Sequence, residues 1–348
     1  MGTFSGADFG VDTRRRKLLK LSGLLGLSTL TSTLLPPERA EALWFNRKTH
    51  KVSRTRLSMG TFVSMTAVHS SKNEAEEAIG AAFEEISRLA SLLSMHDQSS
   101  PISELNRTGL LKHVPEEISR VVSRSLHYHR LTGGAFDITV KPLMDLYQKS
   151  FAADQKPDEQ AIEQTLKSIS SSDLQLAQDG LAFKCPGMGI TLDGIAKGYI
   201  VDRASQVLND YGVSNHLINA GGDIRTSGTA AGNDKWTIAI QDPEKKREFP
   251  DIIKMNDGAV ATSGNYEVFY DKEKLFHHIV DPHTGHSPQL SSSVSVTATT
   301  VMDADALATA LFVLDPSEGL DLIETRPHCE CFILDRDLIV NKSSGWLG

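Results

Sequence analysis

The stretch ADALATALFVL, residues 304–314, governs how the rest of the chain reads. It is small and apolar apart from Asp305 and Thr309, so it predicts a helix over 303–314 whose two oxygen-bearing side chains look inward or into a cleft. Four residues apart on a helix, Asp305 and Thr309 point the same way. A carboxylate and a hydroxyl on one face form a hard oxygen pair, suited to Mg²⁺ and poorly to zinc. The same pair near a helix start also serves as a cap for exposed N–H groups. Spacing alone leaves both readings open.

Around this helix the sequence is strand-rich. Strands are predicted at 216–219, 236–241, 259–263, 276–280, 293–298 and 331–340, with one more helix after Pro316. The first half is mostly helical. A strand pair over 55–69 bends around Gly60, and an amphipathic helix capped by Asn73 carries Ala75, Ile79, Phe83, Ile86 and Leu93 on one face. A polar loop follows through Asn106. Further helices run over 116–131, stopping at Gly133-Gly134, from Pro157-Asp158 onward, and over 195–211, ended by Gly212. Helices and strands are grouped rather than alternating. That favours an α+β fold with mixed or antiparallel sheets over a doubly wound parallel one.

The N-terminus reads as an address. Arg15-Arg16-Lys17 precedes a diluted apolar run to Leu35, too short for the roughly 20 residues of a membrane-spanning helix. Pro36-Pro37 and Ala40-Glu41-Ala42 complete a twin-arginine signal with a cleavage site, so residues 1–42 are expected to be removed and 43–348 to work in the periplasm. No stable membrane anchor is expected in that mature part. The formal charge is −8, and residues 1–42 hold six basic and four acidic side chains, so the remainder stands near −10. Such a balance argues against nucleic acid as a partner, because no basic surplus exists to neutralise phosphates. Three cysteines are too few for a disulfide framework, though a bridge from Cys185 to Cys329 or Cys331 stays open.

The common nucleotide and hydrolase motifs are absent: no P-loop, no complete Rossmann fingerprint, no GxSxG and no HExxH. Four other stretches carry chemistry. Gly134-Ala135-Phe136-Asp137 offers close backbone approach, a stacking face and an acceptor, or an ordinary turn. Thr191-Leu192-Asp193-Gly194-Ile195-Ala196-Lys197-Gly198 opens a helix, where Gly194 can present a carbonyl and Lys197 a phosphate-facing ammonium, or merely a solvated lysine. Asn219-Ala220-Gly221-Gly222-Asp223 suits a ligand or a tight turn. His277-His278-Ile279-Val280-Asp281-Pro282-His283-Thr284-Gly285 carries His278 into an Asp-Pro turn, where it can take a proton from a hydroxyl or orient a phosphate. A zinc cluster with His283 and His286 is the rival reading there.

Together these stretches resemble the ApbE family, the FAD:protein FMN transferases. Met59-Gly60-Thr61, Ser103-Glu104-Leu105-Asn106, GAFD at 134–137, GIAKGYIVD at 194–202, NAGGD at 219–223, HHIVDPHTG at 277–285 and ADALATALFVL at 304–314 occur in the family's order. The resemblance implies an α+β fold with FAD in a cleft between two lobes and Mg²⁺ at its diphosphate. It implies transfer of FMN from FAD to a Ser or Thr hydroxyl of an acceptor protein, with release of AMP. Metal ligands would be the Gly194 carbonyl, Asp305 and Thr309. Met59, His96, Ala135, Phe136, Asp137, Thr191, Lys197, His278 and Ile279 would contact FAD, with His278 as general base and Asp281 or an acid of the acceptor as its rival. His96 stands where the family often has an aromatic residue, and Thr191 where many members carry an Asp six residues before the lysine. The implied acceptor is a flavoprotein subunit of a membrane redox complex. No D-x-x-[ST]-[GS]-A-T acceptor stretch occurs here, which argues against self-modification. A Mg²⁺-dependent FAD pyrophosphatase and a non-catalytic FAD-binding assembly factor share the same cleft and stay open.

Overall fold

A tight turn at Met59-Gly60, with φ of 52° and 72°, folds the chain into a hairpin of β1 (His50–Ser58) and β2 (Thr61–His69). The coordinates, a computed structural model, describe residues 49–177, 180–243, 249–266, 269–271 and 275–348. The expected signal over 1–42 lies outside them. After the hairpin comes α1 (Lys72–Leu93), whose Ala75, Ile79, Phe83, Ile86 and Leu93 are buried as their spacing requires. Its cap is Ser71, not Asn73: the Ser71 hydroxyl accepts the Glu74 N–H. The expected polar loop before Asn106 is instead a helix, α2 (Pro101–Thr108), capped by Ser100 and closed by Gly109 at φ 76°. Only Ile102 and Leu105 of it are buried, too few apolar positions for a periodicity to show.

β3 (Leu110–Lys112) and α3 (Glu116–Leu131) follow, then α4 (Lys141–Ala152) and α5 (Glu159–Leu166). Sequence periodicity misses α4, which buries only Leu143 and Tyr147. β4 (Leu174–Ala177) and β5 (Gly180–Phe183) pair with β3, and α6 (Ala196–Asp210) leads into the strand-rich half. There β6 (His216–Ala220), β7 (Asp223–Ser227), β8 (Trp236–Ile240), β9 (Asp251–Met255), β10 (Gly258–Gly264) and β11 (Ser291–Ala298) precede α7 (Val301–Val313), α8 (Pro316–Glu324), β12 (Glu330–Asp335) and β13 (Val340–Lys342).

Eight strands form one sheet in the order β1-β2-β6-β7-β10-β11-β12-β13, β8 pairs with β9, and every described pairing is antiparallel. Alternation sorts the large sheet's two faces. Val63, Met65, Ala259, Ala261, Cys331 and Ile333 join α1, α6 and α7 in the main core. Val260, Phe332 and Leu334 face the other way and pack with Ile238, Ile240, Ile253 and Trp346 beneath the β8–β9 ribbon. A third, smaller core joins α4 and α5 to the loop after β10 through Leu143, Tyr147, Ile162 and Val280.

Two strand expectations fail. Among the described residues, 276–280 make one isolated bridge, His277 to Phe269, and no strand. Turn bonds and side chains hold that segment: the Ser287 hydroxyl accepts the His277 N–H, and Val280 belongs to the third core. The stretch 331–340 is a hairpin, turned where Asp335 accepts N–H groups of Asp337 and Ile339 and Leu338 takes φ 61°. Cys185, Cys329 and Cys331 are all free thiols.

Candidate active site

The site is organised where α6 crosses α7. A Cβ on Gly198 would lie 2.4 Å from the Val301 carbonyl oxygen, so only glycine permits this approach. Contact lets each helix cap or hold the other. The Asp202 carboxylate accepts the N–H of Val301 at 3.0 Å and of Met302 at 2.9 Å, while the Gly198 N–H donates to Asp305 at 3.0 Å. Thr300 caps the remaining N–H group, that of Asp303. Asp305 and Thr309 therefore do not cap their own helix: α7's start is already served, and both sit inside it, one and two turns on, while Asp305 takes the Gly198 N–H in the first turn of α6.

The strand-to-helix turn before α6 brings the third expected ligand. A Cβ at Gly194 would lie 3.0 Å from the Thr309 hydroxyl oxygen and 3.4 Å from the Phe136 ring, so the Gly194 backbone lies directly against both. Ser263, at the end of β10, places its hydroxyl 3.3 Å from that of Thr309. Thr191 shapes the turn, since its hydroxyl accepts the Asp193 N–H and its own N–H reaches the Ile138 carbonyl.

Electrostatics set this corner apart. Asp305 is 5% exposed and Asp223, at the end of the glycine hairpin between β6 and β7, is 1% exposed. Lys197 stands 3.3 Å from Asp223. Burial, and then the Asp223 charge, push the Asp305 carboxyl well above its ordinary range, against Lys197 and the Gly198 N–H. Two buried carboxyl groups, an ammonium, a hydroxyl and a backbone segment thus meet in one corner. Such a donor set fits a hard divalent cation such as Mg²⁺.

His96, Ala135, Phe136, Asp137, Thr191, Gly194, Lys197, His278, Ile279, Asp305 and Thr309 all line one cleft of about 550 Å³. Met59 does not. It sits in the β1–β2 turn, packed on the main core, while its neighbour Thr61 presses against Gly221 so closely that a Cβ there would be 2.5 Å from the Thr61 hydroxyl. The MGT stretch thus supports the NAGGD hairpin from below.

Asp137 is largely a scaffold group. It accepts from Thr139 N–H and hydroxyl and from Ser171 N–H and hydroxyl, with His129 at 3.1 Å. Burial pushes its carboxyl up, but the His129, Thr139 and Ser171 bonds outweigh that and hold it below the usual range. The GAFD loop is tied in turn to the histidine loop, because His283 Nε2 lies 3.1 Å from the Gly133 carbonyl. Tyr147 donates to the Gly285 carbonyl from the third core.

Within the histidine loop the roles separate. His277 is fully buried and donates from Nε2 to the Pro288 carbonyl, and burial lowers its pKa to about 4. Asp281 is committed to its turn, accepting from His283 N–H and the Thr284 hydroxyl. His278 faces the cleft. His283 and His286 pair with Asp281 and Glu159, and no cluster of three His, Cys, Asp or Glu side chains able to hold a metal occurs among the described residues. Sequence reading missed Asp145, Gln148 and Tyr270, which also line the cleft. The first two lie on the unrecognised α4, and the Lys141–Asp145 pair, four residues apart, was the one signal for that helix.

Known proteins share this fold. Residues 59–333 match the ApbE family. A FAD:protein FMN transferase of Haemophilus influenzae is 27% identical over 320 residues, covering 86% of this chain and 91% of its own. One from Klebsiella pneumoniae is 31% identical over 287 residues, covering 76% and 79%. Among solved structures, the ApbE protein of Thermotoga maritima superposes with a TM-score of 0.77 at 29% identity, over 85% of this chain and 97% of its own. The flavin transferase ApbE from Vibrio cholerae gives 0.73 at 26% identity, over 85% and 98%. With its motifs gathered round one cleft and most of its length matched in sequence and fold, the chain belongs to the ApbE family.

Proposed function

We propose that this chain transfers FMN from FAD to a Ser or Thr hydroxyl of an acceptor protein, in a Mg²⁺-dependent reaction within the cleft between the α6–α7 crossing and the histidine loop. Its family makes it an FAD:protein FMN transferase; the metal, the residue roles and the kind of acceptor are the further reading. One observation carries it: a buried carboxylate, a hydroxyl and a glycine backbone converge beside Lys197, while His278 shares the same cleft.

Asp305, Thr309 and the Gly194 carbonyl would hold Mg²⁺, which when bound offsets charge on a diphosphate and on its leaving group. Lys197 would add positive charge beside the phosphates, steadied by Asp223 at 3.3 Å. Phe136 and Ile279 supply apolar surface for the flavin end, with His96 at the rim. In the reaction the acceptor oxygen bonds to the FMN phosphorus, the bond to the bridging oxygen breaks, and AMP departs with that oxygen. The hydroxyl proton goes to His278. Asp281 is a poor rival for that role because its carboxylate is spent on the turn.

The twin-arginine pattern supports export, and a periplasmic site would match an acceptor on the outer side of a membrane redox complex. Fusing residues 1–42 to a reporter that must be exported folded tests this. Incubating the chain with FAD, Mg²⁺ and a Thr-containing acceptor peptide tests the reaction. Covalent flavin on the peptide, with AMP released, is expected; free FMN and AMP with an unmodified peptide would mean hydrolysis instead. His278→Ala should slow transfer by about 10²- to 10⁴-fold.

A further inference from the structure

A second cavity, of about 680 Å³, lies on the sheet face turned away from the helices. Its floor is one row across four strand pairings: Thr55 opposite Ser64, Ser64 opposite Asn219, Asn219 opposite Ile224, and Ile224 opposite Val260. One wall is Ile238, Ala239 and Ile240 of β8 with Gln241 just after it. Among the described residues β8 pairs with β9 alone, so its second edge carries no strand partner. An open edge beside a trench is where an extended polypeptide can add as a further strand.

The chemistry of the lining selects the occupant. Among the described residues no charged side chain lines the trench; hydroxyls and amides are mixed with isoleucine, glycine, Phe62 and Tyr266. That lining presents no cation to a phosphate or a nucleotide. A neutral main chain with alternating side chains matches both the edge and the row beneath it.

The trench is also continuous with the cleft. Thr262 lines both, and Gly264, in the cleft wall, lies under the Tyr266 ring of the trench: a Cβ there would be 2.2 Å from that ring. We propose that this trench binds the extended segment of the acceptor polypeptide flanking its modified hydroxyl, laid along the β8 edge and entering the cleft past Thr262 and Tyr266. The inference rests on the transferase reading above and adds where acceptor selection is made.

Ala239→Arg, on the exposed side of β8, and Ser64→Arg, on the floor, fill the trench without touching the cleft lining. Two probes are compared: a peptide carrying D-x-x-[ST]-[GS]-A-T with neutral extended flanks on both sides, and the same stretch trimmed of its flanks. Each variant should raise KM for the flanked peptide by about tenfold or more. FAD affinity by flavin fluorescence, melting temperature and the rate on the trimmed peptide should stay at wild-type values. Unchanged KM for the flanked peptide overturns the proposal, as do equal losses on both peptides, which would place the damage in the cleft. A change in oligomeric state on size exclusion would assign the trench to a second copy and likewise overturn it. If the wild-type chain releases FMN and AMP but labels neither peptide, the transferase reading itself fails.

Discussion

Asp202 and Asp305 lie on facing sides of the same helix crossing and do opposite jobs. Asp305 is buried and Asp202 half-buried, each accepts backbone N–H from the other's helix, and desolvation raises the pKa of both. Asp202 spends both oxygens on the start of α7 and has Arg225 at 3.8 Å. Its oxygens satisfy the two leading N–H groups of α7, which is a structural role. Asp305 receives one N–H, faces the cleft and is opposed by Asp223. The two carboxylates thus differ in how fully protein donors answer them. The less answered one is the ligand candidate.

Replacing each acid by its amide should separate these roles most sharply. Asp305→Asn keeps an acceptor for the Gly198 N–H and removes a buried charge, so its melting temperature should equal or exceed that of wild type. Flavin transfer should fall on the order of a thousandfold, several kcal/mol of lost metal-borne stabilisation. Asp202→Asn should keep transfer within about threefold. Equal losses of activity in the two variants would erase the distinction. Asp202→Ala, which strands two N–H groups, should cost about 2 kcal/mol in urea unfolding with activity retained in the folded fraction. Mg²⁺ at about 100 times its dissociation constant should add about 2.7 kcal/mol of stability to wild type and to Asp202→Asn, and none to Asp305→Asn.

Acid gives the most diagnostic contrast. His216 and His277 are fully buried and neutral, with pKa values lowered to about 4. His216 donates from Nδ1 to the Val213 carbonyl and accepts the Ser205 hydroxyl at Nε2, which leaves no place for a second ring proton. Between pH 6.5 and 4 the unfolded chain takes up protons that these rings refuse. Stability is therefore whole above pH 6.5 and lost on the way down, by about 3 kcal/mol per ring. Asp202, raised to about 6, works in the other direction and gains stability as pH falls through that value toward 3.8. Urea midpoints measured across this window should drop further in Asp202→Asn than in wild type. Identical pH profiles would mean that Asp202 does not titrate in the fold as described.

Much of this was readable beforehand. The hairpin at Gly60, the apolar face of α1, the stop at Gly212 and the strands around 216, 259 and 293 follow from local pattern, because each element shows its own period. The helices α2 and α4 were unreadable for the converse reason, each fully burying only two residues, so that neither shows a clear apolar stripe. Residues 276–280 looked like a strand because they are apolar enough. Their side chains go to two different cores instead of one sheet face.

The sequence by itself determined the cast of the cleft: an acid and a hydroxyl four residues apart, a glycine and a lysine opening a helix, and a histidine before an Asp-Pro turn. Those depend on spacing, which the chain carries locally. Only the tertiary structure decided that Thr300 and Asp202 cap α7, that Asp281 belongs to its turn, that Asp137 is largely scaffold, and that Met59 packs on the main core. Which charges are already compensated is a property of neighbours distant in the chain, and proximity of that kind exists only once the helices have crossed at Gly198.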